Sequence, residues 1–427
     1  MKKYGFGKRG WLLVLYGFLC ILLASAIPGT VQVALDMFVA KGFNPTHMLS
    51  LMTFGSLGTL VFLFVLNFFT AKGKVSYRKL GLILGVLWAL FTALWGVIPS
   101  QAGFTVVYIC SFLCCQAMVL VVVNNLVANW FPTRKGVIIG LVTIGFTLGA
   151  MAGIMLFGLL LKAFGFVGSY VFFGVIVLLV TLFGFFVLRD FPEEVGCYPD
   201  NDRNMTREKA LEMLEEGRRL SEASPWTQKR VLGTWQMWCI ALCCGIMLLF
   251  SSAISSQLVP RLVAAGYAPQ QATLMFSTAA IIGCVGSWFI GFLDNKLGTK
   301  AALIIMMAGM IVACVFTTLG VPALMWIALA LLGVELGGSS NFSTSLVVRH
   351  WGRFHFQKVY GVVIIVQQVI GAFGAAFASG TSAKWNYDVT YLLMAGMSIV
   401  AILLILPVKD GFVAKREAQF AQEKIQN

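Results

Sequence analysis

RDFPEEVGCYPDNDRNMTREKALEMLEEGRRLSEASPWTQKRVL, residues 189–232, is the longest polar stretch of the 427-residue chain and holds ten acids and eight bases. Outward from it in both directions the sequence turns apolar. Six apolar runs precede it (11–35, 48–70, 79–99, 103–129, 136–160 and 168–188) and six follow (233–258, 272–294, 299–319, 321–347, 359–381 and 387–407). A run of about 20 apolar residues matches the thickness of a bilayer's hydrocarbon core as a helix. Lipid cannot satisfy the edge of an open sheet, so helix is the conformation these runs can take. Composition agrees: 59% of residues are hydrophobic and 11% charged, against roughly 45–50% and about 25% in soluble domains. That excludes a cytosolic enzyme, a nucleic-acid module and a disulfide-stapled secreted domain. The chain reads as an all-α polytopic membrane protein, with twelve transmembrane helices in two pseudo-symmetric six-helix bundles. The expected organisation is an N-terminal bundle (1–188), a cytosolic linker (189–232), a C-terminal bundle (233–408) and a cytosolic tail (409–427).

Charge tests this map. With the N-terminus cytosolic, the inner segments carry 27 of the 31 Lys and Arg; the outer ones carry only Lys41, Lys162, Arg261 and Lys384. The alternation follows the positive-inside rule and places both termini inside. The net charge of +14 is thereby a topology signal rather than a nucleic-acid footprint. The first apolar run, Trp11 to about Leu35, is too long for a signal peptide's core and counts as a span. Within the linker, 206–222 reads as a short amphipathic helix with Thr206 as N-cap. The ten Cys residues show no metal-ligand spacing, and Cys114-Cys115 and Cys243-Cys244 are adjacent pairs. They read as small apolar residues.

The halves share weak similarity at an offset near 225 residues. Ser25-Ala26-Ile27 recurs as Ser252-Ala253-Ile254. The turn FFTAKGKVSYRK (68–79) corresponds to FLDNKLGTK (292–300), and WFPTRKG (130–136) to the segment from Trp351 to Gly361. Two parallel repeats of six helices, with a site near the midplane, form a transporter architecture.

On these residues the chain resembles the major facilitator superfamily. GFLDNKLGTK (291–300) is similar to that family's G-x-L-x-D-[RK]-x-G-[RK]-[RK] turn, with Gly291, Asp294, Lys296, Gly298 and Lys300 in place and Asn295 before the lysine. In the first half Thr70 stands where the acid is expected. The resemblance implies that these residues, with Arg134 and Lys135 of the matching turn, take part in conformational gating. ANWFPTRKGVIIGLVTIGFTLGAMAG (128–153) and FPEEVGCYPDN (191–201) further resemble the oxalate/formate and monocarboxylate-type branch. Carriers of that branch place a basic residue in helix eight or eleven. Here neither 272–294, ahead of Asp294, nor 359–381 has one, and Gly283 and Ser287 stand about where an Asp/Arg pair is expected.

Of the 17 acids, Asp36 and Asp388 lie at outer helix ends, Asp294 at an inner end and thirteen in the linker or tail; Glu335 alone falls at mid-span. A centred charge costs about 2.5–3.5 kcal/mol on insertion scales. Glu335 therefore either lines a watery cavity or stays protonated, as suits proton coupling or substrate contact. The competing reading is a neutral Glu hydrogen-bonded between helices. Polar residues at comparable depth are candidate cavity liners: Gln32, Gln116, Asn124, Ser252, Ser255, Ser256, Gln257, Ser339, Asn341, Gln367 and Gln368. Each alone equally fits an interhelical hydrogen bond. Gln116 and Asn124, two turns apart, are expected on one face. Pro28-Gly29 marks a candidate break in the first helix. Gly145, Gly149 and Gly153 form two G-x-x-x-G steps suited to close packing.

The expected function is secondary active transport by alternating access. The branch resemblance implies a small organic acid or related metabolite as substrate, moved with protons or by exchange. A bulkier amphipathic acid and export of a neutral or cationic compound stand as alternatives, a non-transporting membrane sensor as a remoter one. No G-x-x-x-x-G-K-[ST] loop is present, so ATP-driven pumping has no support. No enzymatic activity, cofactor, metal or nucleic-acid partner is expected. The expected setting is a monomer in a bacterial inner membrane.

Overall fold

A computed structural model describes the backbone of residues 7–70, 75–202, 204–222 and 224–426. Among the described residues there is no strand. The first half runs α1 (Gly7–Val33), α2 (Leu35–Ala40), α3 (Pro45–Thr70), α4 (Tyr77–Leu94), α5 (Gln101–Ala117), a π-helical stretch (Met118–Val123), α6 (Asn124–Trp130) and α7 (Lys135–Val187). The linker carries α8 (Arg207–Glu222) and α9 (Gln228–Leu232). The second half runs α10 (Trp235–Ala264), α11 (Pro269–Leu297), α12 (Thr299–Thr318), α13 (Pro322–Gly338), α14 (Asn341–Ala372), α15 (Gly374–Lys384) and α16 (Tyr387–Ile405), followed by α17 (Phe412–Gln426).

All twelve expected spans fall on helix. Local chemistry sets the ends: the Ser76, Ser100 and Asn386 side chains accept from backbone N–H groups of Lys79, Gly103 and Val389, the N-cap bond. Thr206 accepts from Lys209 N at 3.4 Å, capping α8 as read from sequence. The fifth and sixth spans are parted within α7 by Gly165 (φ 68°). The tenth and eleventh are parted within α14 by Gly352 (φ 69°), a left-handed conformation that suits glycine. Two expectations need correction. Helix α1 runs through Pro28 without a break. The tenth span is interrupted, since α13 ends at Gly338 and helix resumes at Asn341.

The chain forms two compact units, Met1–Phe131 with Ile144–Glu216, and Pro132–Thr143 with Gly217–Asn427. In the first, Gly145, Gly149 and Gly153 lie against Phe18, Leu22 and Ala26 of α1, so closely that a Cβ at Gly145 would sit 2.5 Å from the Phe18 carbonyl oxygen. The G-x-x-x-G steps are thus helix-packing surfaces. Phe38, Trp95, Phe104, Tyr108 and Tyr170 stack into a buried aromatic cluster. Arg78 donates from Nε to the Phe185 carbonyl at 2.6 Å and from its backbone N–H to Asp190 at 2.7 Å. In the second, α10 meets the eleventh span where Gly245 faces Ile370 and Gly371 faces Leu248. Helices α11 and α13 approach until the backbones nearly touch: Gly283 lies against Gly333 and Gly337, and Gly286 against Val334.

Candidate functional site

That glycine seam sets the direction of Glu335. Gly333 and Gly337 face α11. Glu335 is two residues from each, so at about 100° per residue its side chain leaves the opposite side of α13. On that side lie Cys243 of α10 and Cys314 of α12, both within electrostatic range of the carboxyl. Glu335 is 1% exposed, and neither carboxylate oxygen has a hydrogen-bond partner among the described residues. The side chain therefore does not face lipid, and no interhelical hydrogen bond to it is present among the described residues. An unpaired acceptor in an apolar interior is costly, and a charged one more so.

The remaining candidates separate into groups. Asn341 belongs to a buried knot: its Nδ2 donates to the Ser287 carbonyl at 3.1 Å, its Oδ1 accepts from Thr143 Oγ1 at 3.2 Å, and Thr143 and Ser287 hydroxyls lie 2.6 Å apart. Ser287 also donates to the Gly140 carbonyl at 3.0 Å. Thr143 was not singled out from sequence; its position one turn past Gly140 in a glycine-rich helix was the available signal. Ser339 is buried at the end of α13. Gln367 is buried with Oε1 unpartnered, while Gln368 is half-buried. Gln257 accepts from the Tyr387 hydroxyl at 3.4 Å. Ser252 lies against Gly374; Ser255 and Ser256 are exposed. Gln116 and Asn124 are half-buried, but Met118–Val123 between them is π-helical. The α-helical count behind their shared face does not hold there. The side chain of Gln32 lies outside the described residues.

Most of the expected gating residues surround the turn between α11 and α12 and the start of α7. Asp294 is buried and accepts from the Thr299 hydroxyl at 2.5 Å. Its carboxylate lies against Gly136 in the first turn of α7, where a helix N-terminus favours negative charge. Gly291 packs on the Gly136 carbonyl. Gly298 has φ 90°, and a Cβ there would come 2.7 Å from Arg349 Nη1. Lys300 donates to the carbonyls of Leu406 and Val408; Lys135 donates to that of Pro132 at 3.3 Å. Lys296 is exposed beside the Phe292 ring, and Arg134 is half-buried. Arg349 and Asp410 form a forked pair at 3.3 and 2.9 Å, which holds the Asp410 carboxyl below its usual range. In the same turn, between the tenth and eleventh spans, burial lowers His350 to about 4.

The sequence reading missed Arg261. Counted as an outer-loop base, it is 8% exposed and its Nη2 donates to Asp388 at 2.6 Å and to the Thr317 carbonyl at 2.5 Å. The signal was Asp388, an acid of opposite sign at another outer helix end.

Helices of this length and apolar composition define a polytopic helical membrane protein. A family model described as Major Facilitator Superfamily matches residues 14–375, and the chain belongs to that superfamily. Two solved structures share its fold. One is the proton:xylose symporter XylE bound to 6-bromo-6-deoxy-D-glucose (TM-score 0.70, 16% identity, 92% of this chain and 94% of that one). The other is the human organic anion transporter MFSD10 (TM-score 0.67, 16% identity, 93% and 99%). A curated relative, the probable anion transporter 4, chloroplastic, of Arabidopsis thaliana, is 29% identical over 135 residues; the match covers 31% of this chain and 22% of that protein. Members of the superfamily bind small-molecule substrates.

Proposed function

We propose that this chain is a proton-coupled transporter of small organic acids, of the oxalate/formate and monocarboxylate-type branch, with Glu335 as the coupling residue. The observation that carries the reading is a carboxyl buried at mid-span with both oxygens unpartnered among the described residues. Such a group is tolerated best as the neutral acid and must give up its proton when its surroundings become wet. That is the property a coupling site needs. The printed descriptions of two relatives, an anion transporter and an organic anion transporter, support an anionic cargo. The description of a structural neighbour as a proton:xylose symporter is consistent with proton coupling.

In this reading the two six-helix halves alternate access to a central site. Within the second unit the Asp294 turn rests on Gly136, and Thr143, Ser287 and Asn341 form a buried polar knot. With no Lys or Arg at mid-span, amide and hydroxyl donors hold the carboxylate. The membrane is the bacterial inner membrane, with both termini cytosolic. Uptake into proteoliposomes of labelled formate, oxalate, lactate, a steroid acid and a cationic drug, each with and without a pH gradient, tests the proposal. Gradient-driven accumulation of a small acid supports it; accumulation of the cation alone overturns it.

A further inference from the structure

The second half of the linker is fastened rather than free. Gly217 of α8 lies against the Phe354 ring, just past the Gly352 turn. Trp226, ahead of α9, is 1% exposed. Its Nε1 donates to Glu417 of α17 at 2.7 Å, and its ring stands edge-on to Trp351 and Phe420, with centroids 5.7 and 5.4 Å apart. Arg230 of α9 lies over the Phe420 ring at 4.3 Å. Nearer the start of the tail, Phe412 packs on the rings of Trp351 and His350 at 5.1 and 5.0 Å, next to the Arg349–Asp410 fork.

The tail therefore docks through two acid–phenylalanine pairs. Asp410 and Phe412 meet the turn 349–351; Glu417 and Phe420 meet the linker. Trp351 touches both groups, with contacts to Phe412 and to Trp226. Val413, Glu417 and Phe420 recur at i, i+4 and i+7 and so share one face of α17, and Val413 is buried. None of these ties is strong by itself. The Arg349–Asp410 pair is exposed, with side chains at 37% and 70%, and pairs of that kind contribute little. Helix α9 has five residues, fewer than the roughly 12–15 an isolated helix needs, so its order depends on what packs against it.

We propose that α17 is a detachable strap: docked, it fastens the end of the linker to the turn between the tenth and eleventh spans, and it lets go as a unit. The second compact unit takes in the linker from Gly217 onward. While the strap is docked, α9 moves with that unit, and the joint that the linker provides lies ahead of Gly217. Undocking frees α9 and lengthens the joint. The strap is independent of the role given to Glu335 and of the substrate.

Hydrogen–deuterium exchange of the full chain in lipid nanodiscs, read by mass spectrometry with no substrate, tests the strap. The ring contacts of Phe412 are with the turn and not with the linker. Phe412→Ala should nevertheless speed exchange at 227–234 by roughly tenfold, as should Phe420→Ala, while 240–250 of α10 exchanges at the wild-type rate in both. In the reverse direction, Trp226→Phe keeps a ring, removes the bond to Glu417 and should speed exchange at 411–416. Wild-type exchange at 227–234 in Phe412→Ala overturns the strap, because the two ends of the tail then hold independently. If Phe412→Ala folds poorly, Trp226→Phe decides: a faster rate at 411–416 supports the strap and an unchanged one overturns it.

Discussion

Two acids of the second unit are buried in opposite ways. Asp294 has a hydroxyl at 2.5 Å and the first turn of a helix against its carboxylate; Glu335 has two thiols within reach and no hydrogen bond among the described residues. A buried charge is stable when donors surround it and costly when they do not. The first is therefore fastened by its donors, whereas nothing among the described residues donates to the second. Burial alone does not tell the two apart; the donors around each carboxyl do.

The contrast can be broken by disturbing each carboxyl's support. The largest effect is expected from the seam behind Glu335. Gly337→Leu would drive a side chain into the Gly283 carbonyl and cost about 3 kcal/mol, read as a lowered Tm and loss of monodisperse protein. The next is a pH effect on the inner turn. Burial lowers His350 to about 4 in the folded chain, against about 6.5 unfolded. The unfolded state therefore binds the extra proton between those values, and stability falls as pH drops from about 6.5 to 4, by at most about 3 kcal/mol. His350→Gln should flatten that part of the stability profile; an unchanged slope would assign it to other groups. The smallest effects compare the two acids directly. Asp294→Asn removes charge from a helix N-terminus and should cost about 0.3–1 kcal/mol. Glu335→Gln removes a carboxyl with no donor and should leave Tm unchanged or higher. Equal losses in both would erase the distinction between them.

Much of the fold was legible because bilayer thickness acts on composition, which needs no three-dimensional contact. Glu335 stood out for the same reason, as a charge where lipid tolerates few. What escaped depends on partners far apart in sequence. Arg261 read as a loop base because Asp388 lies 127 residues away. Thr143 looked unremarkable until Ser287 and Asn341 came beside it. The π-helical stretch Met118–Val123 left no mark in an all-apolar run, so the shared face of Gln116 and Asn124 was read from the wrong helical count. Pro28 failed to break α1 because a helix in a packed bundle can re-satisfy the backbone groups a proline frees.

The most direct measurement is uptake of a labelled small acid into proteoliposomes bearing Glu335→Gln, driven by a pH gradient and, separately, by internal unlabelled acid. The account predicts that gradient-driven accumulation disappears while exchange with internal acid persists. Accumulation with wild-type pH dependence in the variant would contradict it.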